Sequence, residues 1–487
     1  MADSRRAAER LVNRMQRLVD SQKRIILFLV SLILAFLITF YVTRHEASFT
    51  VVQEYVLFIL IFAVALWMTE AIPPFAVGLL IVGLLLFLLG GVDNNVAGTE
   101  GYIDVRKFVN TWSNSVIWLM MGGFFLAEAL KKTGLDSDLF KLSLAKAGNK
   151  SQYVLLTIMA TTALASMVMS NTATTAMMIA SIMPFINKVG TDNKLAHALL
   201  IGIPASAAIG GMGTIIGSPP NAIAVDAINS IARNNPEISQ IGFLEWMVLG
   251  VPIAVILTFF FWKILIRKYK IKNQIVDLSF LKDNKMPTAA ERFQKNFVLV
   301  VMTITVLLWL TGRWHGIPSS AVSGIPIILL PMVAIITGDD VRKLPWDTLM
   351  LVAGGLSLGL AIQESGLAEF FVNKLQGFTF NQVVFMVIFA LSTVILSNVM
   401  SNTATATILI PVASILPSVD PVAMAMIIGL SASCAVFLPV STPPNAIAFS
   451  TGLLKQKDFR IGGISIGLAG PILAITWVIT LFFIRYF

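Results

Sequence analysis

The sequence predicts an all-α polytopic membrane protein with eleven transmembrane helices plus two re-entrant helical hairpins in an inverted repeat. Three observations predict it. The 487-residue chain is 56% hydrophobic and 13% charged, with a mean hydropathy of +0.83, well outside the range of a water-soluble domain. Apolar runs of about 20 residues recur from Arg24 to the C-terminus and leave no room for a separate soluble domain. Finally, "VMSNTATTAMM" at 168–178 returns as "VMSNTATATIL" at 399–409.

Residues 1–23 set Arg5, Arg6, Arg10, Arg14 and Arg17 against Leu11, Val12, Met15, Leu18 and Val19 at helical spacing, which predicts an amphipathic interfacial helix on the cytoplasmic surface. The run after it is too long for a signal-peptide core and has no small-residue cleavage site behind it, so it reads as a retained first span within 24–50. Spans are expected at 24–43, 51–69, 74–92, 112–130, 195–231, 245–266, 297–312, 318–337, 346–363, 421–454 and 462–484. Two other apolar regions, 152–187 and 381–416, are too long for one helix and too short for two complete spans with a loop. Each fits two short half-helices joined at a buried tip, with the Ser-Asn-Thr triplet at that tip.

Loop charge sets the orientation. The N-terminus, 131–150, 263–295 and 455–460 carry excess Lys and Arg, and alternate crossing puts all four on one side. That side is cytoplasmic by the positive-inside rule, which leaves the C-terminus outside an inner (plasma) membrane.

The halves align through "MGGFFLAEALKKTGL" with "VAGGLSLGLAIQESGL", and "GSPPNAIA" (217–224) with "STPPNAIA" (441–448). Gly122 answers Gly354, Gly134 answers Gly366 and Asn171 answers Asn402. An odd number of crossings separates the equivalent spans, so the repeat is inverted, an arrangement that builds midplane sites in secondary transporters. Repeat 1 covers 51–266, a cytoplasmic basic loop covers 267–296 and repeat 2 covers 297–487, the whole of 24–487 being one membrane domain.

Composition excludes other chemistry. The net charge of +9 lies in short connections between spans, so no nucleic-acid partner is expected. Cys434 stands alone in an apolar stretch, and His45, His197 and His315 are far apart in sequence, so no cofactor, metal centre or enzymatic activity is expected. An intramembrane hydrolase needs paired Asp, Ser with His or Lys, or a zinc motif, which the apolar segments lack. A channel would conduct without saturating and show no counterflow.

Helix-compatible sequence follows each triplet, so Ser170-Asn171-Thr172 and Ser401-Asn402-Thr403 read as N-caps. Proline suits the first helical position, so Ser218 and Thr442 read as caps of new half-helices inside the 195–231 and 421–454 spans. Four helix N-termini meeting at mid-depth form an anion receptor with no basic side chain. The prolines also release carbonyls, expected at Ile215, Ile216, Pro439 and Val440, next to Ser and Asn oxygens, a combination suited to sodium. Glu128 reads as a partner of Lys131 and Lys132 one turn on, Glu70 as interfacial, and the Gly122-Gly123 and Gly354-Gly355 pairs as close-packing positions.

With these residues, "WMTEAIP" and "ASCAVFLPVSTPPNAIAFS", nearly the whole chain resembles the divalent anion/sodium symporter family, which includes bacterial sodium-coupled dicarboxylate transporters. The resemblance implies a homodimer in membrane lipid, moving its transport region as an elevator. It implies that Ser170, Asn171, Thr172, Ser401, Asn402, Thr403, Thr442 and Pro443 bind the dicarboxylate substrate. It assigns one sodium ion to Ser166, Ser170, Asn171 and Gly217, and a second to Ser397, Met400, Asn402 and Ser441. The expected function is sodium-coupled import of C4-dicarboxylates such as succinate, malate and fumarate. The alternative is a sodium-independent dicarboxylate or citrate exchanger.

Overall fold

The computed structural model describes residues 2–46, 48–90, 103–190, 193–236, 238–276, 288–375, 381–414, 416, 419–484 and 486. The centre of the expected basic loop, 277–287, and the end of the third expected span, 91–92, lie outside the described residues. Among the described residues, eight helices are long and apolar enough to cross a membrane, so the protein is a multi-pass membrane protein.

The chain forms two compact units, one of residues 1–112 and 350–375, the other of 113–349 and 376–487. In the first unit, a helix runs unbroken over Ala2–His45, with no turn between the expected interfacial helix and the first span. Val51–Thr69 follows behind a capping box at Thr50 and Gln53, and ends at Glu70, which is exposed and left-handed with φ 49°. Pro74–Leu89 then meets residue 354 backbone to backbone, since a Cβ on Gly354 would lie 2.3 Å from the Gly78 Cα. The close-packing role read for Gly354 therefore holds.

The second unit contains both hairpins and both broken spans. Hairpin 1 is Ser151–Ser166 and Asn171–Val189; hairpin 2 is Gln382–Ser397 and Asn402–Ser414. The leaving helix of hairpin 1 is longer than the expected half-helix, because 19 residues extend about 28 Å. The 195–231 span is broken into Lys194–Gly211 and Pro219–Asn234, and the 421–454 span into Pro421–Ala432 and Pro443–Ser450. Each break opens well before its proline pair, so the released carbonyls lie further upstream than the prolines alone suggest.

Packing between these pieces is crossed. The Pro443–Ser450 half-helix lies against Asn171–Val189 and Lys194–Gly211, and the Pro219–Asn234 half-helix lies against Asn402–Ser414 and Pro421–Ala432. Each half-helix thus rests on the leaving helix of the other repeat's hairpin.

One expected span differs in form. Residues 318–337 give the short helices Ser319–Val322 and Gly324–Met332 rather than one rod. Pro331 cannot donate an amide, and Ala334 takes a left-handed φ of 56°, so the helix cannot run on to Thr337. Gly122 permits close approach here, since a Cβ would sit 2.5 Å from the Ser323 Cβ. Glu128 pairs with Lys131 at 3.2 Å as expected, while Lys132 reaches Asp340 at 2.5 Å.

Candidate functional site

At the first tip the backbone of Ser170 is extended and its hydroxyl accepts the Ala173 N–H at 3.2 Å, the expected N-cap. Ser166, wholly buried at the end of the entering helix, donates its hydroxyl to Asn171 Oδ1 at 2.6 Å. Gly217 faces them. A Cβ on Gly217 would lie 2.5 Å from the Gly211 carbonyl oxygen and 3.1 Å from both the Ser166 carbonyl oxygen and Thr214 Oγ1. A Cβ on Gly211 would lie 2.5 Å from Asn171 Oδ1 and 3.0 Å from the Gly217 carbonyl oxygen. Neutral oxygens therefore converge from the hairpin and the break, and any side chain at either glycine would block them. The set is one that a hard monovalent cation prefers. Ser166, Asn171 and Gly217 lie together here. Ser170 stands at the cap, exposed, with Thr172 exposed beside it.

At the second tip, Ser401 repeats the cap, its hydroxyl accepting the Ala404 N–H at 3.1 Å. Ser397 Oγ and Asn402 Oδ1 are both buried with no hydrogen-bond partner. Met400 is buried beside them. Ser441 joins this tip through Asn398: its hydroxyl donates to Asn398 Oδ1 at 2.8 Å and accepts the Leu438 N–H at 2.8 Å. Thr442 caps its half-helix by accepting the Asn445 N–H at 3.4 Å, Pro443 opens that helix and is exposed, and Thr403 is buried.

The family model for citrate transporters matches residues 64–429, which contain both hairpins. The chain belongs to the citrate transporter family. The resemblance to divalent anion/sodium symporters stands with it, and the protein is a transporter rather than an enzyme. It is 30% identical over 449 residues to a sodium-dependent dicarboxylate transporter of Staphylococcus saprophyticus, covering 85% of this chain and 83% of the relative. It is 28% identical over 455 residues to the sodium-dependent dicarboxylate transporter of Staphylococcus aureus, covering 86% and 84%. Its fold resembles the YdaH transporter of Alcanivorax borkumensis, with a TM-score of 0.57 and 12% identity, over 85% of this chain and 99% of that one.

The transporter also uses residues that the spacing did not single out. Asn221 Nδ2 donates to the carbonyls of Gly211 at 2.9 Å and Thr214 at 2.7 Å. Its counterpart Asn445 donates to those of Val436 at 3.2 Å and Leu438 at 2.9 Å. These two asparagines hold the breaks in shape, taking carbonyls upstream of the expected Ile215, Ile216, Pro439 and Val440. The asparagine in each Pro-Pro-Asn was the available signal. Thr214 donates its hydroxyl to the Met167 carbonyl, tying the first break to the first tip. Asn398 does the same at the second, accepting the Phe437 N–H at 2.9 Å and donating to the Val394 carbonyl at 2.7 Å. Ser218 occupies the cap position, but its side chain makes no cap hydrogen bond, so its capping role is backbone geometry alone.

Proposed function

We propose that this transporter carries out sodium-coupled symport of C4-dicarboxylates such as succinate, malate and fumarate into the cytoplasm by an elevator motion. The observation that carries the reading is the pair of buried, unpartnered oxygens at the second tip, Ser397 Oγ and Asn402 Oδ1. Leaving a buried polar group unsatisfied costs about 1–3 kcal/mol, and a bound cation removes that cost at both atoms. The first cation takes Ser166, Ser170, Asn171 and Gly217; the second takes Ser397, Met400, Asn402 and Ser441.

The dicarboxylate meets Ser170, Asn171, Thr172, Ser401, Asn402, Thr403, Thr442 and Pro443. Helix N-termini and hydroxyls hold its two charges, and sodium offsets the cost of their desolvation. The crossed packing of each half-helix on the other repeat's hairpin supports a shared pocket. The names of the staphylococcal relatives support both the sodium and the dicarboxylate.

The same reading takes the protein as a homodimer in the plasma membrane with its N-terminus inside and its C-terminus outside. Long-range ion pairs support the expected grouping of connections on two sides. In the second unit, Lys132 with Asp340 and Lys295 with Asp138 join connections expected inside, and Arg313 with Glu245 joins connections expected outside. In the first unit, Lys107 with Glu364 and Lys374 with Glu46 also join connections expected outside.

Uptake of labelled succinate into proteoliposomes tests the proposal. An inward sodium gradient is expected to drive accumulation. Uptake indifferent to sodium but requiring internal dicarboxylate would establish the exchanger instead.

A further inference from the structure

Away from the hairpins, the end of the Phe243–Tyr269 helix and the start of the Gln456–Phe483 helix enclose a cleft of about 560 Å³. Its charged lining is Lys268, Lys457, Arg460 and Asp458. Asp458 already serves the helix start, its carboxylate accepting the Lys455 N–H at 2.8 Å. Among the described residues, neither lysine nor the arginine has an ion-pair partner. Three cations against one acid leave a field that concentrates anions.

The second half of the observation is apolar. Ile464, Leu468 and Ile472 follow Arg460 at steps of four residues on one helix face, 56%, 53% and 63% exposed. The stripe from Ile464 to Ile472 runs about 12 Å along the helix away from the cleft. A free oxyanion would use the cations and leave the stripe bare. A molecule that joins a phosphate to a hydrocarbon chain uses both, and basic pockets beside membrane helices suit such headgroups.

We propose that this cleft binds the phosphate of an anionic glycerophospholipid, with an acyl chain lying along Ile464, Leu468 and Ile472. The site goes beyond the transport reading, since none of its residues belongs to either hairpin tip or to a break.

The test uses the full-length protein, purified and delipidated in detergent, with native mass spectrometry counting bound lipid. Offered equimolar dioleoylphosphatidylglycerol and dioleoylphosphatidylcholine, the wild type is expected to retain the glycerol lipid by roughly tenfold or more. The Lys457→Ala/Arg460→Ala double substitution is expected to weaken that binding by roughly 25-fold, about fivefold per cation, and to leave the choline lipid unchanged. Leu468→Asn is expected to weaken the lipid further, and millimolar inorganic phosphate is expected not to displace it. Equal retention of both lipids by the wild type overturns the proposal, and so does full retention by a double variant that elutes as wild type. Displacement by inorganic phosphate overturns it in favour of a free-anion site. If the double variant does not fold, Lys268→Gln on the other helix makes the same test, with roughly fivefold weakening expected and no change overturning it.

Discussion

The two hairpin tips share a serine at 166 and 397 and the Ser-Asn-Thr triplet at 170–172 and 401–403, and leave these residues in different states. In the first, the Ser166 hydroxyl is spent on Asn171 Oδ1 at 2.6 Å. In the second, Ser397 Oγ and Asn402 Oδ1 are buried and both unspent. The tie between tip and break differs as well, being a threonine hydroxyl on a tip carbonyl in the first and the amide of Asn398 in the second. Met167 occupies the position in the first tip that Asn398 holds in the second. The serine–asparagine pair of the first tip is therefore closed on itself, while the equivalent pair of the second leaves both oxygens without a partner. Sequence symmetry has not produced the same hydrogen bonding at the two pairs.

The largest effects are expected at the asparagines. Asn171→Ala and Asn402→Ala are each expected to reduce succinate uptake at least 100-fold while the purified protein keeps its wild-type elution volume. They are expected to part in sodium-free buffer. Loss of Asn171 strands the Ser166 hydroxyl and lowers stability by about 1–3 kcal/mol, whereas loss of Asn402 strands nothing. Near-normal uptake in either variant, or equal sodium-free thermal midpoints, would dissolve the contrast.

A smaller effect is expected from the serines. Ser397→Ala deletes an unsatisfied hydroxyl, so the sodium-free midpoint is expected to hold or rise while half-maximal uptake needs roughly tenfold more sodium, about 1.4 kcal/mol of lost ligation. Ser166→Ala is expected to lower the sodium-free midpoint as well, because Asn171 Oδ1 loses its donor. Sodium titrations of both variants, run with thermal unfolding, check this.

Asn221→Ala and Asn445→Ala probe the breaks instead of the tips. Each asparagine donates to two carbonyls, so similar losses of about 1–3 kcal/mol are expected at both breaks. A large inequality would mean that the breaks, and not the tips, carry the asymmetry.

The smallest effect is expected far from both tips. Lys132, with help from Thr337, holds the Asp340 carboxyl well below the usual carboxylate range. A depressed folded-state value contributes stability that is complete above the ordinary carboxylate pKa and fades only as pH falls towards the folded value. Lys132→Met is therefore expected to leave stability between pH 6 and 8 changed by no more than about 1 kcal/mol, the pair being part-exposed, and to make unfolding begin at a higher pH in acid. Acid titration followed by circular dichroism measures it.

What the sequence made legible was local. The caps at Ser170, Ser401 and Thr442 follow from a polar residue placed just before a helix-compatible run, and the Val51–Thr69 helix has the boundaries its apolar run predicts. What stayed hidden depends on chain folding back on itself. The Asn221 amide reaches carbonyls seven and ten residues upstream across an irregular turn, and Asn398 meets Phe437 and Ser441 from another helix pair. No periodicity encodes either contact. Ser218 failed as a side-chain cap because identity and position do not fix a rotamer. The 318–337 run ends early as a helix because Pro331 withholds an amide and Ala334 takes a left-handed backbone, neither of which an apolar run reveals.

Neither hairpin contains a lysine, arginine, histidine, aspartate or glutamate between Ala160 and Phe185 or between Val383 and Ser414. A cradle assembled from amides and hydroxyls has no proton of its own to gain or lose across the physiological range. Under the proposed dicarboxylate reading, the acidity profile of such a carrier is then written by its cargo, following the fraction of the diacid that has shed both protons.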